Sequence, residues 1–207
     1  MKVLALSDEK VSFIYSNTIA DTYSDVDLIL GCGDLPARYL EFVLTVLNVP
    51  CVYVPGNHDP DNLRVPGAIN ADGKIVEVKG LKIFGLGGSP RYKAKGRHQY
   101  SESQMKRRVW AHFPLIWWRS LWKQPAFDIL LTHAPARGIH DDTDPVHTGF
   151  EVFLSLMEWA RPKLMVHGHT HVIPNLVDTE TIFRETFIVN AYPYKLIELP
   201  GEGWPSV

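Results

Sequence analysis

Apolar residues in the first third of the chain alternate between short continuous runs and stretches with helical spacing. The runs predict strands at residues 3–6, 26–31 and 51–55, and the stretches between them predict helices at 12–23 and 36–48. In the second of these helices, apolar residues such as Leu40, Val43 and Leu47 recur on one face. This alternation predicts parallel strands joined by crossover helices. Ligand sites are then expected at the carboxyl ends of the strands.

The rest of the chain departs from a purely parallel pattern. Two apolar runs at 75–78 and 81–86 flank Lys79-Gly80, which predicts a tight hairpin. Ser101 and Gln104 form a capping box that predicts a helix start, and Pro114 is expected to end or bend that helix. A second capping box at 148–151 predicts a helix to about residue 161, and further strands are predicted at 128–132, 163–167 and within 183–199. No internal repeat or linker divides the sequence, so one domain over 1–207 is expected.

Composition excludes several classes of protein. The 207 residues are 45% hydrophobic with a net charge of -2, which gives no general attraction to nucleic acid or to anionic membranes. Cys32 and Cys51, the only cysteines, lie beside apolar runs and are predicted to be buried, reduced thiols. Charges occur early in the sequence, and no apolar stretch reaches the roughly 18 residues of a membrane span. A cytoplasmic location is therefore expected.

Polar side chains that bind metals follow the predicted strands. They are Asp8, Asp34, Asn57, His58, His133, His169 and His171. Carboxylate, amide and imidazole groups without a thiolate favour manganese, iron, zinc or nickel over a structural zinc site. His169 and His171 are two residues apart, so on an extended backbone they point the same way. For residues 56–60 a local turn, in which Asn57 and Asp59 bond their own backbone, is the alternative. His167 shares the histidine face and is interpreted as a core residue.

Taken in order, these motifs resemble the signature of the calcineurin-like metallophosphoesterases over residues 8–171. The resemblance implies an α/β/β/α sandwich of four layers with two mixed β-sheets. It also implies hydrolysis of a phosphate mono- or diester by a metal-activated water, at a centre of up to two divalent metals. By this resemblance Asp34 would bridge both metals and His58 would be the catalytic histidine. The remaining ligands would be Asp8 and His171 for the first metal, and Asn57, His133 and His169 for the second.

The first motif departs from the family pattern. The family usually places a histidine two residues after the aspartate, whereas here the sequence is Asp8-Glu9-Lys10. A lysine ammonium cannot bind a cation, so the first metal site is expected to be weak or vacant unless Glu9 or water replaces the ligand. Lys10 is then a candidate for binding substrate phosphate directly, and turning to solvent is the alternative.

Two other residues are candidates for substrate binding. Arg91 opens a basic segment with Lys93, Lys95 and Arg97, which could clamp a phosphate or form a solvated loop. His147 follows an acidic run and is placed either near the substrate or in the turn before a helix.

The aromatic segment at residues 109–123, around Trp117, is interpreted as a helix that covers the core. Any exposed remainder is a candidate contact surface for a second copy, a partner or a membrane.

These observations favour a metal-dependent phosphoesterase, either a phosphatase or a phosphodiesterase, that acts on a small phosphorylated substrate. The alternative is a catalytically degenerate protein that uses the same fold as a metal-stabilised interaction module, with Lys10 marking the loss. Retention of His58 and His133 argues against that alternative. The near-neutral charge and the lack of further basic and aromatic runs argue against a nuclease.

Overall fold

The computed structural model describes residues 1–122, 124–171 and 178–199. Lys123, the last residue of the aromatic segment, lies outside these ranges. The described strands and helices, in chain order, are β1 (Lys2–Leu6), α1 (Ile19–Thr22), β2 (Leu28–Gly31), α2 (Ala37–Leu47), β3 (Cys51–Tyr53), β4 (Ile69–Asn70), β5 (Lys74–Val78), β6 (Leu81–Leu86), β7 (Ser89–Pro90), β8 (Gln99–Tyr100), α3 (Glu102–Trp110), α4 (Phe113–Leu121), β9 (Ile129–Thr132), α5 (Val152–Ala160), β10 (Leu164–His167), β11 (Glu180–Phe183), β12 (Thr186–Asn190) and β13 (Tyr194–Glu198). None of the described helices is long and apolar enough to cross a membrane.

Two large mixed sheets form the centre of the fold. The first has the order β13-β1-β2-β3-β4, in which β1 to β4 run parallel and β13 pairs with β1 in the antiparallel direction. The second has the order β11-β12-β10-β9-β6-β5, with four parallel strands in the centre and antiparallel strands at both edges. The parallel strands at the centre of each sheet have their carboxyl ends on the same side, and these strands come from both halves of the chain.

The central strands bury both of their faces, which produces four layers. In β1, Val3 and Ala5 belong to a core that also contains Ile129 and Leu131 of the other sheet. The alternate residue Leu4 packs with the helix α2 on the outer side. The second sheet is covered on its outer face by α3, α4 and α5. The predicted sandwich with two mixed sheets is therefore confirmed.

Several local predictions are confirmed. The β5–β6 hairpin turns at Lys79-Gly80, with Val78 opposite Leu81. Ser101 and Gln104 form the capping box of α3, and α3 ends before Pro114, which lies in the first turn of α4. Both cysteines are buried and free.

One helix prediction and one cap prediction are wrong, whereas the helix predicted to run to about residue 161 forms as α5. The predicted helix at residues 12–23 is reduced to the single turn α1, because Ser16 and Thr18 bond each other and the nearby backbone. The capping box at 148–151 does not form. The Thr148 hydroxyl donates to the carbonyl of Asp144, and the first N–H groups of α5 instead donate to the carboxylate of Glu102. A side chain from another helix thus replaces the local cap.

Candidate metal centre

The strand ends of both sheets meet at one cavity of about 240 Å³. Its lining residues are Asp8, Asp34, His58, Val146, His147, His169 and His171. His133 lies fully buried beneath them, and one ligand atom each of Asp8, Asp34 and His133 lies within 4.8 Å of the others. The structure therefore brings together candidate ligands that are up to 163 residues apart in the sequence.

Three of these residues hold an unusual backbone conformation. Asp8, Asp34 and His169 have φ values of 61°, 56° and 69°, in the left-handed region that costs non-glycine residues roughly 1 kcal/mol or more. Hydrogen bonds from each backbone N–H hold the three turns in place. Asp8 donates to the Gly33 carbonyl (3.1 Å), Asp34 to the Asp59 carboxylate (2.8 Å) and His169 to the Asp8 carboxylate (2.9 Å). Such turns, at the ends of strands, direct the side chains of Asp8, Asp34 and His169 to the cavity.

Asp59 connects two of the strand-end loops. Its Oδ2 atom accepts hydrogen bonds from the N–H groups of Asp34 and Gly56, each at 2.8 Å. Gly56 allows this close approach, since a Cβ atom there would lie 2.1 Å from Oδ1 of Asp34. Burial raises the pKa of Asp59, and its hydrogen bonds oppose that rise. The sequence suggested a local turn for Asp59, and this residue also holds the Asp34 loop in place.

Two buried histidines each have one ring nitrogen occupied by a backbone carbonyl. His133 Nδ1 lies 2.7 Å from the Cys32 oxygen, and His169 Nε2 lies 2.7 Å from the Val146 oxygen. A carbonyl can only accept, so these nitrogens carry the proton when the rings are neutral. The lone pairs then lie on His133 Nε2 and His169 Nδ1. This arrangement is how proteins present imidazole to a metal.

The electrostatics of the cavity favour positive charge. Burial opposes ionisation of Asp8, but a hydrogen bond from His171 and the charge of His133 outweigh it and lower the pKa of Asp8 to about 2. Burial likewise opposes protonation of His133, but Asp34 accepts a hydrogen bond from it and raises its pKa to about 9. Two ionised carboxylates thus surround a protonated imidazole. The same group of ligands fits a divalent cation.

The side of the cavity around His171 is open. The His171 side chain is 59% exposed, its Nε2 lies 3.6 Å from Asp8 Oδ1, and its ring stacks on Tyr192 at 4.4 Å between centroids. Tyr192 in turn donates its hydroxyl hydrogen to the Glu9 carboxylate at 2.9 Å. The Lys10 ammonium lies 3.7 Å above the centre of the Tyr15 ring, a cation–π contact. Glu9 and Lys10 therefore both have partners away from the cavity lining.

Tyr92 contacts the candidate ligand Asn57, and the sequence did not predict this contact. The Asn57 amide nitrogen donates to the Tyr92 hydroxyl at 3.1 Å, which leaves the Asn57 carbonyl oxygen 3.0 Å from His133 Nε2. Arg91, a candidate for clamping phosphate or for a solvated loop, donates to the Gln99 carbonyl (3.2 Å) and to Gln104 (2.9 Å). The loop thus reaches the site through its tyrosine. The only signal in the sequence was an aromatic residue between two bases.

Two further histidines lie at the cavity. His58 is exposed there, and its backbone N–H donates to Asp34 Oδ1 at 2.7 Å. His147 Nδ1 lies 2.7 Å from Asp144 Oδ2, and its ring centre is 5.4 Å from that of His169. The hydrogen bond from His147 lowers the pKa of Asp144. His147 occupies both of the positions proposed for it, since it lies at the cavity and also in the turn that precedes α5.

His167 is buried behind the cavity. Its Nδ1 lies 3.0 Å from the Gly168 oxygen and its Nε2 lies 3.1 Å from Nδ1 of His140. Burial and the neighbouring His140 lower the pKa of His167 to about 3, so the ring is neutral. This placement agrees with its interpretation as a core residue.

Comparison with known proteins gives the family. Residues 1–173 match the family described as "Calcineurin-like phosphoesterase", and the chain belongs to it. Membership supports metal-dependent hydrolysis of phosphoesters in general. No curated protein matches the chain by sequence.

Solved structures agree on the fold. TT1561 of Thermus thermophilus is similar with a TM-score of 0.63 and 16% identity, over 92% of this chain and 88% of that one. A single mutant of Vps29 from Entamoeba histolytica has a TM-score of 0.41 and 14% identity, over 92% and 73% of the two chains. A novel archaeal phosphodiesterase has a TM-score of 0.44 and 14% identity, over 92% and 83%. At these identities the first likeness shows the fold alone.

Proposed function

We propose that this protein hydrolyses a phosphate mono- or diester at a centre of up to two divalent transition metals, manganese, iron, zinc or nickel. The observation that carries the proposal is the approach of Asp8, Asp34 and His133 to within 4.8 Å at the floor of a cavity lined by four other histidines. Bound metals would polarise the phosphate and make a water acidic enough to attack it near neutral pH.

The ligands divide between two sides of the cavity. Asp34, which accepts from the His58 backbone and lies 3.4 Å from His133 Nε2, is proposed as the shared ligand. Asn57, His133 and His169 would hold one metal on the buried side. Asp8 and His171 would hold the other on the exposed side, and the structure supports this pairing through their 3.6 Å approach.

His58 is proposed as the group that protonates the leaving oxygen. Imidazole can supply a proton near pH 7, and the exposed ring at the cavity can approach a bound ester. His147 is proposed to contact the substrate, because Asp144 orients its ring and the residue lines the cavity. Because Lys10 and Arg91 have partners elsewhere, we propose no role in substrate binding for either residue.

The size and charge of the site favour a small phosphorylated substrate. A cavity of about 240 Å³ accepts a phosphate and part of its ester group, and the net charge of -2 offers no broad attraction to nucleic acid. We also propose a single domain in the cytoplasm. The support is that β13 pairs with β1 across the chain and that both thiols are free.

Metal analysis with paired assays tests the proposal. Purified protein should lose hydrolysis of p-nitrophenyl phosphate, bis-p-nitrophenyl phosphate or both after exhaustive chelation. Manganese should restore activity better than magnesium, because imidazole ligands favour transition metals. Full activity in chelator would contradict the proposal. Protein that binds metal yet hydrolyses neither ester would support the degenerate interaction module instead.

A change of His58 separates proton transfer from metal binding. His58→Ala should reduce turnover roughly 10²–10⁴-fold, the usual contribution of a general acid, with unchanged metal content. His98→Ala, which removes an imidazole near Asp61 and outside the cavity lining, is the control and should retain activity. Normal turnover in the His58 variant, or loss of its metal, would show that the assigned role is wrong.

A further inference from the structure

The helix α4 is apolar on both of its sides. Ile116 faces the protein core and is 1% exposed, whereas Leu115, Trp118 and Leu121 are 43%, 58% and 56% exposed. At 3.6 residues per turn, these three residues lie on the side opposite Ile116. Surface helices normally carry charged residues on that side, and helices that are apolar all round are normally buried. The outward side of α4 therefore needs a covering that the described chain does not supply.

Neighbouring elements extend this apolar surface. Trp110, at the end of α3, is 57% exposed and stacks on Phe113 at 5.7 Å between ring centres. Trp159 of α5 contacts the same ring edge-on at 6.3 Å. Trp122, just after α4, is 67% exposed. We call Trp110, Phe113, Leu115, Trp118, Leu121 and Trp122 the aromatic face. Several large apolar side chains exposed on neighbouring helices mark an interaction site in a folded protein.

The charges around the aromatic face are positive. Between Glu102 and Asp128 the sequence has no acidic residue and five basic ones. These five are Lys106, Arg107, Arg108, Arg119 and Lys123. Lys106 and Arg107 are exposed on α3, while Arg108 is paired with Asp72. Glu158, the acidic neighbour on α5, is paired with Arg184 at 3.2 Å. Lys106 and Arg107 on α3 and Arg119 on α4 thus place basic side chains on the helices that carry the aromatic face, on a chain whose net charge is -2, and we call them the basic rim.

We infer that the aromatic face docks onto an anionic lipid surface. Tryptophan favours the boundary between headgroups and acyl chains, leucine and phenylalanine enter that boundary, and basic side chains bind anionic headgroups. A second copy of the chain fits less well, because a two-fold contact would bring the same basic rim against itself. An anionic headgroup layer complements both the apolar and the charged parts of this surface.

Vesicle binding by the full chain tests the inference. The protein should sediment with vesicles of phosphatidylcholine containing about one-third phosphatidylglycerol, with a blue shift of tryptophan emission, and should bind pure phosphatidylcholine more weakly. The double variant Trp118→Ser/Trp122→Ser should bind at least about tenfold more weakly, because it removes two large apolar groups. Lys106→Gln/Arg107→Gln should weaken binding to the anionic vesicles alone.

A variant outside the aromatic face serves as the control. Ile182→Ser replaces an apolar residue that is 54% exposed on β11, far along the sequence from α4, and should bind as the parent does. No sedimentation with anionic vesicles, or equal binding by parent and double variant, would overturn the inference. A concentration-dependent dimer that disappears in the Trp118→Ser/Trp122→Ser protein would also overturn it, and would assign the face to a second copy.

Discussion

The two sides of the candidate metal centre are built very differently. In the proposed division of ligands, the buried half consists of Asn57, His133 and His169, whose polar atoms are held by Tyr92 or by backbone carbonyls. The proposed open half consists of Asp8, whose side chain is itself buried, and His171. There the His171 ring is exposed and stacks on Tyr192, and the position that would carry a histidine in the family pattern is Lys10, which contacts Tyr15.

This difference predicts that the two halves bind metal with different affinities. Ligands whose orientation is already fixed lose little entropy on binding, so the buried half should hold its metal tightly. The open half has fewer ligands, and the His171 ring is exposed to solvent, so it should bind metal weakly and leave room for substrate. The missing histidine of the first motif therefore falls on the side that contains the exposed His171 ring.

We expect the largest effect on metal binding and turnover from a substitution in the buried half of the centre. His133→Ala removes an imidazole that is fully buried between Asp34, Asn57 and the Cys32 carbonyl, and it leaves a carboxylate beneath the cavity without its cation. We expect loss of the tight metal site, at least about a 10²-fold fall in turnover, and a loss of stability on the order of 3 kcal/mol without metal. Metal analysis, steady-state kinetics and thermal unfolding measure the three effects.

The matched change in the open half is His171→Ala. It should retain the tight site and lose the weak one, with little change in unfolding, because the ring is mostly exposed. Equal metal loss in the two variants would remove the distinction between the halves.

A smaller effect is expected at Tyr92. Tyr92→Phe removes the acceptor of the Asn57 amide and allows that side chain to rotate, while the ring remains. Loss of such an outer partner typically weakens metal binding 10–100-fold, so we expect roughly tenfold. The effect should fall on the tight site in a metal titration. Tyr100→Phe, in the same loop region but packed on Arg108, is the control. Unchanged affinity in Tyr92→Phe would mean that Asn57 needs no such partner.

The smallest effect is expected at Lys10. Its ammonium lies over Tyr15, so Lys10→Ala should change turnover and both metal affinities by less than about twofold, with at most about 1 kcal/mol lost from the cation–π contact. Kinetics at several substrate concentrations provide the measurement. A large rise in KM would return Lys10 to the phosphate-binding role that the sequence suggested.

The sequence predicted the location of the site better than its internal contacts. Alternation of strands and helices places Asp8, Asp34 and Asn57 at neighbouring strand ends, and this follows from parallel pairing alone. The contact between Asn57 and Tyr92 spans 35 residues and depends on how one loop lies over another. No local pattern encodes that kind of contact.

The wrong helix at residues 12–23 and the wrong cap of α5 have the same origin. Residues 12–23 have apolar spacing, but Ser16 and Thr18 bond locally and compete with the helix. The start of α5 uses the Glu102 carboxylate from α3 in place of its own Thr148. In both cases, hydrogen bonds outside the expected pattern decided the structure.

Calorimetric titration of manganese into metal-free protein, with hydrolysis followed in parallel, tests the central claim most directly. We expect two unequal binding phases, with affinities that differ by at least about tenfold, and hydrolysis that rises with metal occupancy. The tight phase should disappear in His133→Ala and the weak phase in His171→Ala. Two equal phases, or hydrolysis that proceeds without bound metal, would contradict a metal centre with one buried and one open half.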